Sequence, residues 1–179
     1  RRIRVPDQWY GDYLAAMGAA RIGERRLKEF IGKYGKAVVR KFIADWFDYS
    51  ERRTADAIRA LPSGAISATG VHDPIMPFLP DGIHIKVAID IDSTDGRIKI
   101  DLRDNPDSVD AGLNLTEATA TMSAAQAVFS CLDSDIPHNS GSFRRLDILL
   151  RENCVTGIPQ FPHSCSVATT NMTDTIINT

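Results

Sequence analysis

The chain has 179 residues, 43% of them hydrophobic and 25% charged, an ordinary composition for one domain, or two small ones, able to bury a core. With 21 Lys and Arg against 23 Asp and Glu the formal net charge is −2, which excludes a global basic field for nucleic acid or an anionic membrane. No apolar run approaches the roughly 20 residues of a membrane helix, and the odd set Cys131, Cys154 and Cys165 makes no disulfide framework, so a reducing cytoplasm is the expected setting.

Charge and periodicity change together near residue 61. Residues 1–61 carry 14 basic and 8 acidic side chains, net +6, whereas residues 62–179 carry 7 and 15, net −8. The split predicts an α+β fold, in which an antiparallel helix pair precedes an antiparallel β-hairpin or sheet with a further helix. The expected division is a helical hairpin over 1–62 and a β-rich portion over 63–179 with one helix at about 116–132.

From Asp7 to about Lys33, Tyr10, Leu14, Met17, Leu27, Phe30, Ile31 and Tyr34 return at helical spacing, interrupted by the polar run Gly23-Glu24-Arg25-Arg26. Gly35 suits a helix C-cap, and Lys33 complements the negative helix end. A second helix is expected from about Lys36 to Leu61, its wide apolar stripe running through Val38, Val39, Phe42, Ile43, Trp46, Phe47, Ala57 and Ile58. Pro62-Ser63-Gly64 ends it. Ile83, Ile85, Val87, Ile89 and Ile91 then alternate with polar or small residues, Ser93-Thr94-Asp95-Gly96 signals a turn, and Ile98, Ile100 and Leu102 resume the alternation, a β-hairpin. Leu146, Ile148 and Leu150 give one more strand, and the segment beyond Asn153 reads as irregular.

Candidate chemistry is sparse. Arg25-Arg26 and Arg52-Arg53, each preceded by Glu, suit phosphate by their planar forks, but no glycine-rich backbone nest accompanies them and Glu–Arg pairing is the simpler reading. His72-Asp73, His84 and His163-Ser164-Cys165 offer isolated metal donors without a converging set. The run from Asp133 to Gly141 is the most loaded loop, carrying Asp133, Asp135, His138 and Asn139. It reads either as a cation- or proton-handling site or as a turn whose Asp and Asn satisfy backbone groups. No nucleophile-elbow or Walker pattern is present.

A longer constellation is more specific. Arg4-x-Pro6 with Trp9 and Asp12, Gly23-Glu24-Arg25-Arg26-Leu27, Tyr34-Gly35, and Asp48-Tyr49-Ser50-Glu51-Arg52-Arg53 closing on Leu61-Pro62-x-Gly64 come first. Asp104-Asn105, Ala111-Gly112-Leu113-Asn114 and Asp133-x-Asp135-Ile136-Pro137-x-Asn139-x-Gly141-x-Phe143-Arg144 follow. Together they resemble the hydantoinase B family, which includes N-methylhydantoinase B subunits, the acetone carboxylase α subunit and the corresponding half of 5-oxoprolinase. Thr116 stands where that family has Pro, and Ser166 to Thr170 where it has a glycine-rich stretch.

The resemblance implies ATP-dependent hydrolysis of a cyclic amide of the hydantoin or 5-oxoproline type, in a hetero-oligomer with a hydantoinase A-type ATPase subunit or domain. Carboxylation of a ketone, or a non-catalytic assembly module of such a complex, are the alternatives. It implies that this chain is an internal portion of a larger subunit, with the divalent metal ligands upstream of Arg1 and none in this chain. ATP would enter through the partner, and neither nucleic acid nor membrane is an expected partner. Carried over residue by residue, Asn114 and Asn139 are the expected carbonyl-orienting groups and His138 the acid/base candidate. Asp135, Gly141 and Arg144 are the expected substrate-binding residues.

Overall fold

The computed structural model describes residues 5–165 and 168–179; Arg4 of the first motif and Ser166-Val167 lie outside them. The chain divides into two compact units, Arg1–Trp46 and Phe47–Thr179. The fold is α+β, as the patterning predicts.

In the first unit, helix α1 spans Pro6–Tyr34, with Pro in its first turn and Asp7 beside the positive helix end. Gly35 follows at φ 83°, its N–H donating to Ile31 O at 2.8 Å, and α2 (Lys36–Arg59) begins at the next residue. The expected burial of one helix on the other is absent: no residue of α1 is buried, and Leu14, Met17, Leu27 and Phe30 stay exposed. A single linking residue is shorter than the two to five that let an antiparallel helix partner lie alongside.

In the second unit, α2 buries Ser50, Thr54, Ala55 and Ile58, one stripe at helical spacing. The sheet has four strands in the order β1 (Gly64–His72), β2 (Ile83–Asp92), β3 (Arg97–Asp101) and β4 (Leu146–Leu149). The expected hairpin is β2–β3, in register from Ala88↔Asp101 to Asp92↔Arg97. Asp92 Oδ1 accepts from Thr94 N at 2.9 Å and Asp95 N at 3.0 Å, closing the turn. Gly96 sits at φ +69°, and a Cβ there would fall 2.7 Å from Ala55 O, so the turn tip presses on α2 and only glycine fits.

Two features of the sheet go beyond the expected antiparallel hairpin, and the second departs from it. β1 pairs antiparallel with β2 from Gly64↔Ile91 to His72↔Ile83, and its Gly-, Ala- and Ser-rich sequence carries no alternation to announce it. β4 pairs parallel with β3, because the chain between them crosses over through α3 (Glu117–Cys131) and the single turn α4 (Ser140–Phe143). The segment beyond Asn153, read as irregular, ends in a helix, α5 (Ala168–Asn178), whose threonine-rich sequence has weak intrinsic propensity. Packing against α3 stabilises it: Met172 and Ile176 are buried, and Ser123 Oγ donates to Thr173 Oγ1 at 3.1 Å.

The core lies between one face of the sheet and α3 and α5. Ile85, Ile100, Leu102, Leu113, Leu115 and Met172 are fully enclosed, each worth about 1.5–3 kcal/mol of burial. Thr116 caps α3, its hydroxyl accepting from Thr119 N at 3.2 Å. Among the described residues no helix is long and apolar enough to cross a membrane.

Candidate functional site

The loop from Asp133 to Arg145 is held by α2. Asn139 is the N-cap of α4: its Oδ1 accepts from Gly141 N at 2.8 Å, and its backbone N donates to Ser142 Oγ at 3.0 Å, a reciprocal capping box. The other end of the same amide reaches across the fold, Nδ2 donating to Ser50 Oγ at 2.7 Å. Gly141 is buried, and a Cβ on it would lie 1.9 Å from Phe47 O, so loop and helix backbone meet with no room for a side chain. The two sequence blocks that open with Asp48 and with Asp133 thus form one contact surface.

Charge closes that surface. Arg144 Nη1 donates to Asp48 Oδ1 and to Glu51 Oε2, both at 2.9 Å, while Arg145 Nη2 lies 2.7 Å from Glu51 Oε1. The Arg144 hydrogen bond, aided by the charge of Arg145, holds the Glu51 carboxyl below the usual carboxylate range against the opposing effect of burial. Glu51 and Asp48 in turn hold Arg144 above its ordinary value. Arg53 donates to Tyr49 Oη at 2.7 Å and to Asp133 Oδ2 at 2.9 Å, and those bonds, that to Tyr49 first, raise its pKa. On the loop's outer side, His138 stacks on Phe129 of α3 with ring centroids 4.5 Å apart, and Phe143 meets the same ring edge-on at 5.3 Å.

A second polar centre ties the 104–115 loop together. Asn114 is fully buried; its Oδ1 accepts from Val109 N at 2.8 Å, and its Nδ2 lies 2.9 Å from each of Val109 O, Ala111 O and Ser164 O. Asn105 copies a strand residue, accepting from Lys86 N at 2.7 Å and donating to Lys86 O at 2.8 Å. His163 Nδ1 stands 3.5 Å from Asp110 Oδ1, and burial pushes the Cys165 thiol up.

The expected site residues therefore separate. Asn139, Gly141 and Arg144 belong to the α2–loop contact, with Asp135 and His138 exposed on its rim. Asn114 belongs to the other centre, and its partners are none of theirs. The amides of Asn114 and Asn139 are committed to protein partners, and Gly141 and Arg144 are committed to α2. Of the six, only Asp135 and His138 present exposed acid/base groups. Sequence reasoning missed Ser50, Asp48 and Glu51 as partners of the loop, although the block containing them was among the motifs. No spacing links residues about 90 positions apart.

The arginine pair of α1 binds within the helix: Arg26 and Glu29 are 2.9 Å apart, and Arg25 and Glu29 4.0 Å. His72 Nδ1 lies 2.8 Å from Asp73 O, and His84 is exposed on β2. Among the described residues no three His, Cys, Asp or Glu side chains converge as a metal-binding group.

The family model described as Hydantoinase B/oxoprolinase matches residues 1–179. The chain belongs to the hydantoinase B/oxoprolinase family. Among its relatives are an uncharacterized protein of Methanocaldococcus jannaschii, 29% identical over 98% of this chain and 30% of that protein, and the putative B subunit of a D-/L-hydantoinase from a Pseudomonas species, 31% identical over 89% of this chain and 28% of that protein. This member of the family thus spans under a third of the length of the curated relatives it matches. The same fold occurs in the ATP-dependent caprolactamase of Pseudomonas jessenii, at a TM-score of 0.78 and 22% identity over 98% of this chain and 29% of that one. It occurs again in nucleotide-free acetone carboxylase, at 0.66 and 15% over 80% of this chain and 20% of that one.

Proposed function

We propose that this chain is the central portion of a hydantoinase B-type subunit that hydrolyses a cyclic amide in an ATP-dependent reaction shared with an ATPase subunit or domain. The observation that carries this reading is the 31% identity to the putative B subunit of a hydantoinase over 89% of the chain. An amide carbonyl is a poor electrophile. Moving a phosphoryl group from ATP to the amide oxygen, with release of ADP, activates the carbonyl carbon; water then adds there, the ring C–N bond breaks as the nitrogen takes up a proton, and the acyl phosphate so formed is cleaved by a second water to carboxylate and inorganic phosphate. The portion described here has to present groups to an anionic intermediate and control water near it.

In this reading the roles of the candidate residues divide. Asn139, Gly141 and Arg144 hold the 133–145 loop on α2, and Asn114 holds the neighbouring loop; all four are positioning residues. His138, stacked and exposed, is the acid/base group, and Asp135 the substrate-facing carboxylate. The divalent metal is held by residues outside this chain.

The likeness to acetone carboxylase favours a second reading, a carboxylase subunit. The test is turnover by the full-length subunit with its ATPase partner. ADP formation coupled one-to-one to ring opening of hydantoin or 5-oxoproline supports hydrolysis. ADP formation that requires a ketone and bicarbonate overturns it in favour of carboxylation, and no coupled turnover with either leaves an assembly module.

A further inference from the structure

His72 ends strand β1 and is only 7% exposed. Its backbone is fixed from behind: Gly82 sits at φ +68°, and a Cβ there would collide with the His72 carbonyl oxygen, so only glycine fits. In the side chain, Nδ1 lies 2.8 Å from Asp73 O. A carbonyl only accepts, so Nδ1 carries the proton, and in the neutral ring Nε2 is then a bare acceptor. Nε2 has no partner among the described residues and is not sealed from solvent. It opens on the groove that His72 lines.

That groove has a volume of about 380 Å³, in the range of small-molecule sites. β1 from Gly70 to Asp73 forms one wall, and the outer face of α5, with Asp174 and Asn178, forms the other. A Cβ on Gly70 would strike the Thr179 hydroxyl, so the end of the helix closes on bare strand backbone. Charge in the groove has one sign. Asp73 and Asp174 are exposed, neither carboxylate is hydrogen-bonded or ion-paired among the described residues, and no Lys or Arg lines the walls. The hydroxyls of Thr175 and Thr179 donate to the carbonyls of Asn171 and Thr175, at 3.1 and 2.6 Å, which leaves each oxygen only lone pairs to offer.

We infer that this groove binds a small organic ammonium compound. Its N–H groups donate to two carboxylates, a bare imidazole nitrogen and hydroxyl lone pairs, an acceptor set that repels anions. A divalent metal fits less well, because it needs its ligands around one point at about 2.0–2.6 Å. Among the described residues no three His, Cys, Asp or Glu side chains converge in that way. An alkylammonium bonds separately to groups spread along a groove, and the two carboxylates favour a diammonium compound over a monoammonium one.

The probe is putrescine, a dication at neutral pH, titrated into isotope-labelled chain while long-range proton–nitrogen spectra follow the histidine rings. His72→Gln assigns the His72 signals. Putrescine shifts the His72 Nε2 resonance saturably, with a dissociation constant of about 1 mM or tighter at low salt, and binding weakens as salt rises. Asp73→Asn and Asp174→Asn, at exposed side chains whose carboxylates carry no bond, each weaken binding about three-fold and together about ten-fold. Tetramethylammonium, a cation without N–H groups, gives no saturable shift. The proposal is overturned by a His72 proton resident on Nε2 alone, by no saturable response to putrescine, or by an equal response to tetramethylammonium. Unchanged affinity in the double variant, or saturation by zinc ion in place of putrescine, overturns it too. The titration is repeated on the full-length subunit: binding retained there supports the site, and binding lost there overturns it, the groove then being a seat for another part of the subunit.

Discussion

Arg144 Nη1 donates to Glu51 Oε2 at 2.9 Å, joining a loop residue to a helix residue 93 positions away. Arg145 lies against the second oxygen of the same carboxylate, so Glu51 is gripped from both sides. This clamp makes α2 and the 133–145 loop a single unit, and any chemistry on the loop depends on it.

Acid should loosen the clamp first. Glu51 titrates below its ordinary value of 4.5 in the folded chain, so the unfolded state binds its proton more readily. Its contribution is fully present above that ordinary value and is lost as pH falls through the lower folded value. Glu51→Gln should be less stable than the parent at neutral pH and approach it at the acid end. Urea unfolding of both across the acid range measures this; parallel curves would show that the clamp contributes no pH-dependent stability.

Gly141→Ala places a methyl carbon 1.9 Å from the Phe47 carbonyl oxygen, which is backbone and has no rotamer to yield. The loop must lift from α2, at a cost of about 1–3 kcal/mol or more. Denaturant unfolding gives the value, and faster hydrogen exchange at the Gly141 amide, now donated to Asn139 Oδ1, reports the lifting directly.

Asn114→Ala strips partners from the Val109 amide and from three carbonyls at a fully buried position. Unpaired buried groups cost roughly 1–3 kcal/mol each, less where water enters, so a loss of about 2–4 kcal/mol is expected. A stable Asn114→Ala chain whose full-length enzyme has lost turnover would instead return Asn114 to the catalytic group.

His138→Ala should behave oppositely. The side chain is exposed and contributes one aromatic stack on Phe129, so stability should fall by only about 0.5–1.5 kcal/mol. In the full-length enzyme turnover should drop about ten-fold or more while KM changes little, as for a lost acid/base group. His138→Phe, which keeps the stack, separates the two roles: stability returns and turnover does not.

The hairpin β2–β3 and the helix α3 were legible because each writes its burial pattern over consecutive residues. Ile83 to Ile91 alternate every second position, and Ala120, Ala124 and Val128 recur at helical spacing. β1 and α5 were not legible, since Gly64–His72 has no alternation and Ala168–Asn178 is rich in threonine. Both are specified by neighbours: β1 by the edge of β2, α5 by the buried side of α3. At the candidate site the motifs were visible, but what they do was not. Asn139 was expected to orient a carbonyl and Gly141 and Arg144 to bind substrate; that Ser50, Phe47 and Glu51 stand opposite them has no trace in the motifs.

The sequence by itself determined the family and the α+β class, because motif identity and local periodicity are properties of neighbouring residues. Only the tertiary structure decided which polar groups are spent on holding the fold and which remain exposed. That division depends on contacts between residues some 90 positions apart, Ser50 with Asn139 and Glu51 with Arg144. Hydrogen-bond and packing complementarity at that separation has no periodic trace in the chain, so it exists only once α2 and the loop have met.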